Sequence, residues 1–306
     1  MWITFTLIAV VLWSLVNIAD SYLVQRNKHV GHPVGSLVLF SSLFAIIVSF
    51  AIYFFLDKSL SIPLKSIWLL IVAGFCNLLW IVFYLYALVD EDVSNVIPWF
   101  LSAPFFAYIL SYYILGESLL LNQIFGGLVV IFGGVILSIE KKSENNSSYK
   151  IKWKPIIYMS LASFLIALWG VLFKFVAQES GFWQSSFWEH VGLSVAGLFT
   201  LVFVKSYREG FRVLIRTAGA KILTINIFSE TLTIAGNLLA NYAILFVPVT
   251  LVYLVEISQP AVVFILGIIC TVFFPRILKE DITKRVLVKK GIAIAIMTFG
   301  GILLLI

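Results

Sequence analysis

Residues 66–89 read SIWLLIVAGFCNLLWIVFYLYALV, 24 positions without one Asp, Glu, Lys or Arg. A helix rises about 1.5 Å per residue and the hydrocarbon core of a bilayer is about 30 Å thick, so a charge-free run of this length crosses a membrane. Val34 to Leu56 and Val93 to Gly116 are runs of the same kind. Composition agrees: 61% of the 306 residues are hydrophobic and 12% charged, with a mean hydropathy of +1.07. A soluble domain carries about a quarter charged residues, so the chain reads as an all-α integral membrane protein.

Breaks between the apolar runs give ten transmembrane helices, near 2–24, 34–56, 67–89, 93–115, 119–139, 154–177, 186–204, 222–246, 249–274 and 287–306. The first span follows Met1 directly and is expected to act as its own insertion signal. Lys289 and Lys290 are expected to snorkel at the start of the last span. Cys76 and Cys270 both lie inside apolar runs, which excludes a disulfide framework or a Cys-based metal site. The polar stretch Glu140 to Lys154 separates two sets of five: a first repeat over 1–139, a linker over 140–153 and a second repeat over 154–306.

The halves align at an offset of 156: Leu12-Trp13 on Leu168-Trp169, Tyr86-Ala87 on Tyr242-Ala243, and Ser102-Ala103-Pro104 on Ser258-Gln259-Pro260. Phe132-Gly133-Gly134 matches Phe299-Gly300-Gly301 after eleven more residues, an insertion placed around Pro275 to Lys290. Five helices per copy is odd, so the copies enter the membrane in opposite directions. Two inverted five-helix repeats are an architecture of secondary transporters.

Of the 21 Lys and Arg residues, all but Lys58, Lys65 and Lys174 fall in the loops after the odd-numbered spans or at the edges of those loops. Positive loops stay cytoplasmic, which puts both termini outside and the linker inside. Asn145 and Asn146, though in sequons, are then expected to remain unglycosylated. His29 and His32 sit in one of the basic loops and read as solvated.

An ionisable side chain at membrane depth costs about 2.5–3.5 kcal/mol on insertion scales, so it faces a cavity or a partner. Asp20, Lys174, Glu189, Glu230 and Glu256 are such residues, four acids and one base, for a net charge of −3. Helical spacing gathers polar groups beside them: Trp13, Asn17 and Asp20 in the first span; Asn77, Trp80 and Tyr84 in the third; Glu230, Thr233, Asn237 and Asn241 in the eighth; Thr250, Tyr253, Glu256 and Pro260 in the ninth. Trp169 is the repeat mate of Trp13. Hydrogen bonding between helices is the competing role for the Asn and Thr residues. Pro104 and Pro260 each free a backbone carbonyl one turn back, and paired interruptions of this kind point to a carrier's binding site. These residues are the candidates for substrate or proton sites. Lys174, on an outward-running helix, is expected either to pair with Glu189 or Glu256 in an outer gate or to snorkel to the outer headgroups.

Leu115-Gly116-Glu117, the pairs Gly126-Gly127 and Gly133-Gly134, the Leu-Trp of each first helix, and Pro104 with Pro260 resemble the drug/metabolite transporter superfamily of EamA type. The second half departs from it, with Phe273-Phe274-Pro275 where Leu-Gly-Glu would fall. The resemblance implies a carrier of small metabolites whose cavity is lined by spans 1 to 4 and 6 to 9, with spans 5 and 10 at the periphery. Many members have cytoplasmic termini; the loop charges set the opposite orientation here.

No phosphate-binding loop, nucleophile elbow, metal-binding helix or cofactor motif occurs, so no enzyme activity is expected. The expected function is export or exchange of a small cationic or zwitterionic metabolite, such as an amino acid or amine, by alternating access. A lipid flippase and a non-transporting scaffold or receptor are the alternatives. The expected partners are the solute, protons and the bilayer, with no nucleic acid, for a monomer or homodimer in a bacterial or archaeal cytoplasmic membrane. A cysteine placed at Ser147 in a Cys-free background should be shielded from an impermeant thiol reagent added to whole cells, and one added after Ile306 should be labelled; the reverse pattern refutes the orientation.

Overall fold

In a medium without water every backbone N–H and C=O must be paired within its own segment, so the apolar runs become helices. The computed structural model describes residues 1–27, 33–55, 60–90, 96–138, 153–217, 219–273 and 283–304. Its helices are α1 (Trp2–Asn27), α2 (Pro33–Phe55), α3 (Leu64–Asp90), a 3-10 segment (Ile97–Ser102), α4 (Ala103–Leu115), α5 (Leu121–Ser138), α6 (Trp153–Ser180), α7 (Phe182–Phe203), α8 (Lys205–Thr217), α9 (Ala220–Ala243), α10 (Val249–Glu256), α11 (Gln259–Phe273) and α12 (Lys284–Leu303). Among the described residues, eight segments are long and apolar enough to cross a membrane, with α10 and α11 together making one of them. Trp99–Leu115 and Leu121–Ile136 are apolar but shorter. Residues 140–152 of the expected linker, with Asn145 and Asn146, and the two loop histidines His29 and His32 lie outside the described residues; α6 begins at Trp153, one residue before the expected boundary.

The two prolines restart helices instead of bending them. Pro104 sits in the first turn of α4, directly after the 3-10 segment, and Pro260 in the first turn of α11, after a turn at Ile257 and Ser258. The missing N–H then falls where a helix has no intrahelical acceptor to offer it.

Helix α8 corrects the expectation of a plain basic loop between 205 and 221. Tyr207, Gly210, Phe211 and Leu214 recur at i, i+3, i+4 and i+7 and turn inward, while Lys205, Glu209 and Arg212 are exposed. Tyr207 donates to the Tyr86 hydroxyl at 2.9 Å. Arg208 Nη1 donates to the carbonyls of Leu201 at 3.1 Å and Val202 at 2.7 Å, which satisfies acceptors left open at the end of α7. A second correction concerns Lys290. It is buried, and its Nζ lies 4.1 Å from the centroid of the Phe264 ring instead of reaching the headgroups.

Small residues set how closely helices approach. Gly126, Gly133 and Gly300 press α5 against α12, so these glycines serve packing within the chain: a Cβ on Gly126 would stand 2.9 Å from the Gly300 carbonyl. Between α3 and α7 the approach is backbone to backbone. A Cβ on Gly74 would stand 2.6 Å from the Glu189 carbonyl, and one on Gly192 2.6 Å from Ile71 Cα. Helix α3 also lies along α6, and α1 along α9, whereas α2 and α9 scarcely touch. Gly74→Ala should force α3 and α7 apart and cost about 2 kcal/mol, the range of core overpacking. Thermal unfolding in detergent checks this against Gly301→Ala, a position open to a methyl group, and equal midpoints for the two variants would contradict the seam.

Candidate functional site

A cavity lies between α1, α2, α3, α9 and the broken helices, with about 1110 Å³ of empty space, open solvent included. Of the sequence candidates, Trp13, Asn17, Asp20, Trp80, Tyr84, Glu230, Asn237, Tyr253, Glu256 and Pro260 line it. Four others stand outside the lining. Asn77 and Trp169 are buried and turned to Glu189, Pro104 is buried in the first turn of α4, and Asn241 is buried on α9. The break at Ser258 admits Gln259 and Pro260 to the wall, together with Ile257 and Glu256 from the end of α10.

Hydrogen bonds across helices hold the lining. Trp13 Nε1 donates to Asn237 Oδ1 at 3.0 Å, Tyr84 to Asn17 Oδ1 at 3.0 Å, and Ser41 to Glu230 Oε2 at 2.8 Å. Ser229 donates to Asp20 Oδ1 at 3.5 Å. Two buried atoms of the lining, Asn17 Nδ2 and Glu256 Oε1, have no hydrogen-bond partner among the described residues. Three carboxyls, Asp20, Glu230 and Glu256, line the cavity with no Lys, Arg or His among the lining residues. Ser41, Asn226, Ser229, Phe100 and Gln259 were missed as cavity residues. Ser41, uncharged in an apolar run, carries no signal until α9 brings Glu230 against it.

The expected pairing of Lys174 with Glu189 or Glu256 is not what the fold makes. Lys174 Nζ lies 2.5 Å from Glu117 Oε1 and donates to the Val247 carbonyl at 2.7 Å. Glu117 Oε2 accepts the Val249 N–H at 2.9 Å, the first amide of α10. The cause is local: Gly116, at φ 68, ends α4 with a left-handed cap, and the chain turns back so that Glu117 reaches α6 and the α9–α10 turn. Around this pair Trp2, Phe5, Ile62, Leu115, Phe182, Leu245 and Val247 pack as an apolar plug at one end of the bundle. Glu189 instead accepts from Asn77 Nδ2 at 2.8 Å and Trp169 Nε1 at 3.2 Å, while Glu256 faces the cavity. Among the described residues no group of three His, Cys, Asp or Glu side chains is arranged to hold a metal.

Residues 1–139 match the EamA-like transporter family. A solved structure described as "Crystal structure of protein" superposes on 98% of this chain and 95% of its own, with a TM-score of 0.67 at 15% identity, a likeness of fold. Among curated proteins none matches the chain. The apolar helices fit an integral membrane protein, and its residues 1–139 are similar to the EamA-like transporter family.

Removing Lys174 leaves the part-buried Glu117 beside only a backbone amide, and breaking a largely buried ion pair from one side costs about 3 kcal/mol. Lys174→Met should therefore unfold at markedly lower denaturant than the wild type, and adding Glu117→Gln should recover much of the loss. Equal stability of the single and double variants would show that the pair carries no coupling.

Proposed function

We propose that the protein is a secondary transporter for a small cationic or zwitterionic solute, such as an amino acid or amine, bound in the cavity between the two halves. The observation that carries this reading is the charge of the wall: three carboxyls and no basic side chain. An ammonium group fits among Asp20, Glu230 and Glu256, where it replaces the water that ionised carboxylates would otherwise require. The uncommitted Asn17 Nδ2 offers a donor to the opposite end of a zwitterion. The indole and phenol faces of Trp13, Trp80 and Tyr84 add surfaces on which a cation is held.

Alternating access of two inverted five-helix repeats is supported by the packing pattern. Exchanging the halves at an offset of 156 turns the α1–α9 contact into the α6–α3 contact, and both are extensive. The same exchange relates the 3-10 segment and α4 on α6 to α10 and α11 on α1, and the restart at Ala103 to that at Gln259. One pair breaks the pattern: α3 and α7 are sealed at Gly74 and Gly192, while their counterparts α9 and α2 stand apart beside Asp20, Ser41 and Glu230. A structure closed at the Lys174–Glu117 end and open toward the basic loops is one extreme of a rocking cycle. With the loop charges as guide, the closed end is outer and the open end cytoplasmic.

Proteoliposome uptake of a panel of radiolabelled amino acids, amines and organic anions tests the reading. Uptake should be confined to solutes bearing an ammonium group. Glu230→Gln and Asp20→Asn should each lower it about tenfold, the equivalent of about 1.4 kcal/mol for a charged hydrogen bond. Preference for anions, or wild-type uptake in both variants, would overturn the assignment.

A further inference from the structure

A second polar cluster lies outside the cavity, buried in the sealed seam. Glu189 and His190 on α7 are 1% and 3% exposed, Asn77 on α3 is 2% and Trp169 on α6 is 3%. Glu189 Oε1 takes both donors described above, from Asn77 and Trp169. Glu189 Oε2 lies 3.1 Å from His190 Nδ1 but accepts no hydrogen bond, because that nitrogen is 2.8 Å from the Ser186 carbonyl and its hydrogen is directed there. A carbonyl only accepts, so Nδ1 carries the hydrogen whatever the charge of the ring. The hydroxyls of Ser185 and Ser186, one turn before Glu189 on the same face, also have no hydrogen-bond partner among the described residues.

The cluster is therefore one proton short. With a neutral ring and an ionised carboxyl it holds a net charge of −1 in a dry helix interface, with one carboxylate oxygen unsatisfied. One added proton removes the charge: on Glu189 Oε2 it neutralises the carboxyl, and on His190 Nε2 it makes an imidazolium beside the carboxylate. We propose that the Glu189–His190 cluster is a binding site for a single proton, and that loss of this proton releases the α3–α7 seam. The inference rests on the alternating-access reading. Its location supplies the mechanical link, since the Glu189 carbonyl lies so close to Gly74 that a Cβ there would stand 2.6 Å from it. A direct path also reaches the cavity: Trp80, in the wall, donates to Asn77 Oδ1 at 2.9 Å, and Asn77 donates onward to Glu189. A solute seated on Trp80 thereby bears on the same amide that bridges the seam.

Other ionisable groups facing the cluster are few. Helix α3 brings Cys76, packed with Trp169; α6 brings Lys174, five residues beyond Trp169 and engaged by Glu117; α2 brings Tyr53, against Phe187. None neutralises Glu189. The sign follows: the proton-bound cluster is neutral and favours the dry, closed seam, whereas the deprotonated cluster favours a seam opened to water.

Cys76, buried on α3 against Trp169, whose indole holds Glu189, reports the loosening of α3 around the cluster, and Cys270 on α11 serves as the reference thiol. Both should be labelled with N-ethylmaleimide in detergent from about pH 5.5 to about pH 8.5, a window around the ordinary histidine range, and quantified by peptide mass spectrometry. The ratio of the Cys76 to the Cys270 labelling rate should rise several-fold with pH in the wild type. Glu189→Gln, which carries a permanent donor in place of the proton, should hold the ratio low at every pH, and Glu189→Asp should restore a rise. A flat wild-type ratio, or an unchanged rise in Glu189→Gln, overturns the proposal; if the Gln variant does not fold, the wild-type titration alone decides. Labelling does not depend on transport, so a pH-dependent ratio in a protein that takes up no solute would leave the proton site standing and remove the carrier reading.

Discussion

A carboxyl group in an apolar layer needs a donor, and most of the acids buried in this bundle find theirs on another helix. Glu117 takes Lys174 and the first amide of α10, Glu189 takes Asn77 and Trp169, Glu230 takes Ser41, and Asp20 takes Ser229. Satisfying each acid fixes the register of two or three helices at once, which apolar surfaces alone do poorly in lipid, where hydrocarbon meets hydrocarbon at no gain. Glu256 is the exception. Its Oε1 accepts from nothing among the described residues and faces the cavity, where a solute's ammonium group would supply the missing donor.

Those bonds divide between the two ends of the molecule by kind. At the Lys174–Glu117 end an ion pair is surrounded by an apolar plug, so closure there excludes water. Toward the basic loops the ties are single hydrogen bonds, Ser229 to Asp20 between the packed α9 and α1, and Ser41 to Glu230 between α9 and α2, which otherwise stand apart. On the proposed repeat, Glu230 occupies the place of Gly74. Where the closed seam has a glycine that lets backbones touch, the open one has a carboxyl that must stay solvated or bound. On that proposal, one backbone plan gives a tight interface where Gly74 lies and a loose one where Glu230 lies.

The apolar helices, the prolines that interrupt two of them and the i, i+3, i+4 stripes were legible from residue order, because the bilayer imposes a length and the helix imposes a period. That arithmetic placed Trp13, Asn17, Asp20, Trp80, Tyr84, Glu230, Asn237, Tyr253 and Glu256 on polar faces, and the fold collects these faces around a common space. It failed where a partner comes from a turn. Glu117 lies just past the end of α4 and looks like a surface acid until the left-handed Gly116 aims it at Lys174. Helix α8 was hidden by its many Lys and Arg residues, although its inward face keeps a helical period.

Residue order by itself determined that this chain lies in a membrane and which face of each helix is polar, since both follow from the local cost of placing a charge or an unpaired amide in hydrocarbon. It could not determine which polar face meets which. Asn77 and Trp80 sit three residues apart on one stripe, yet Trp80 lines the cavity and Asn77 is committed to Glu189. Lys174 had three acids within plausible reach along the bundle and took the one delivered by a tight turn. Those choices depend on how closely backbones approach, at Gly74 and Gly192 above all, and closeness of approach is a property of two helices together and of neither sequence alone.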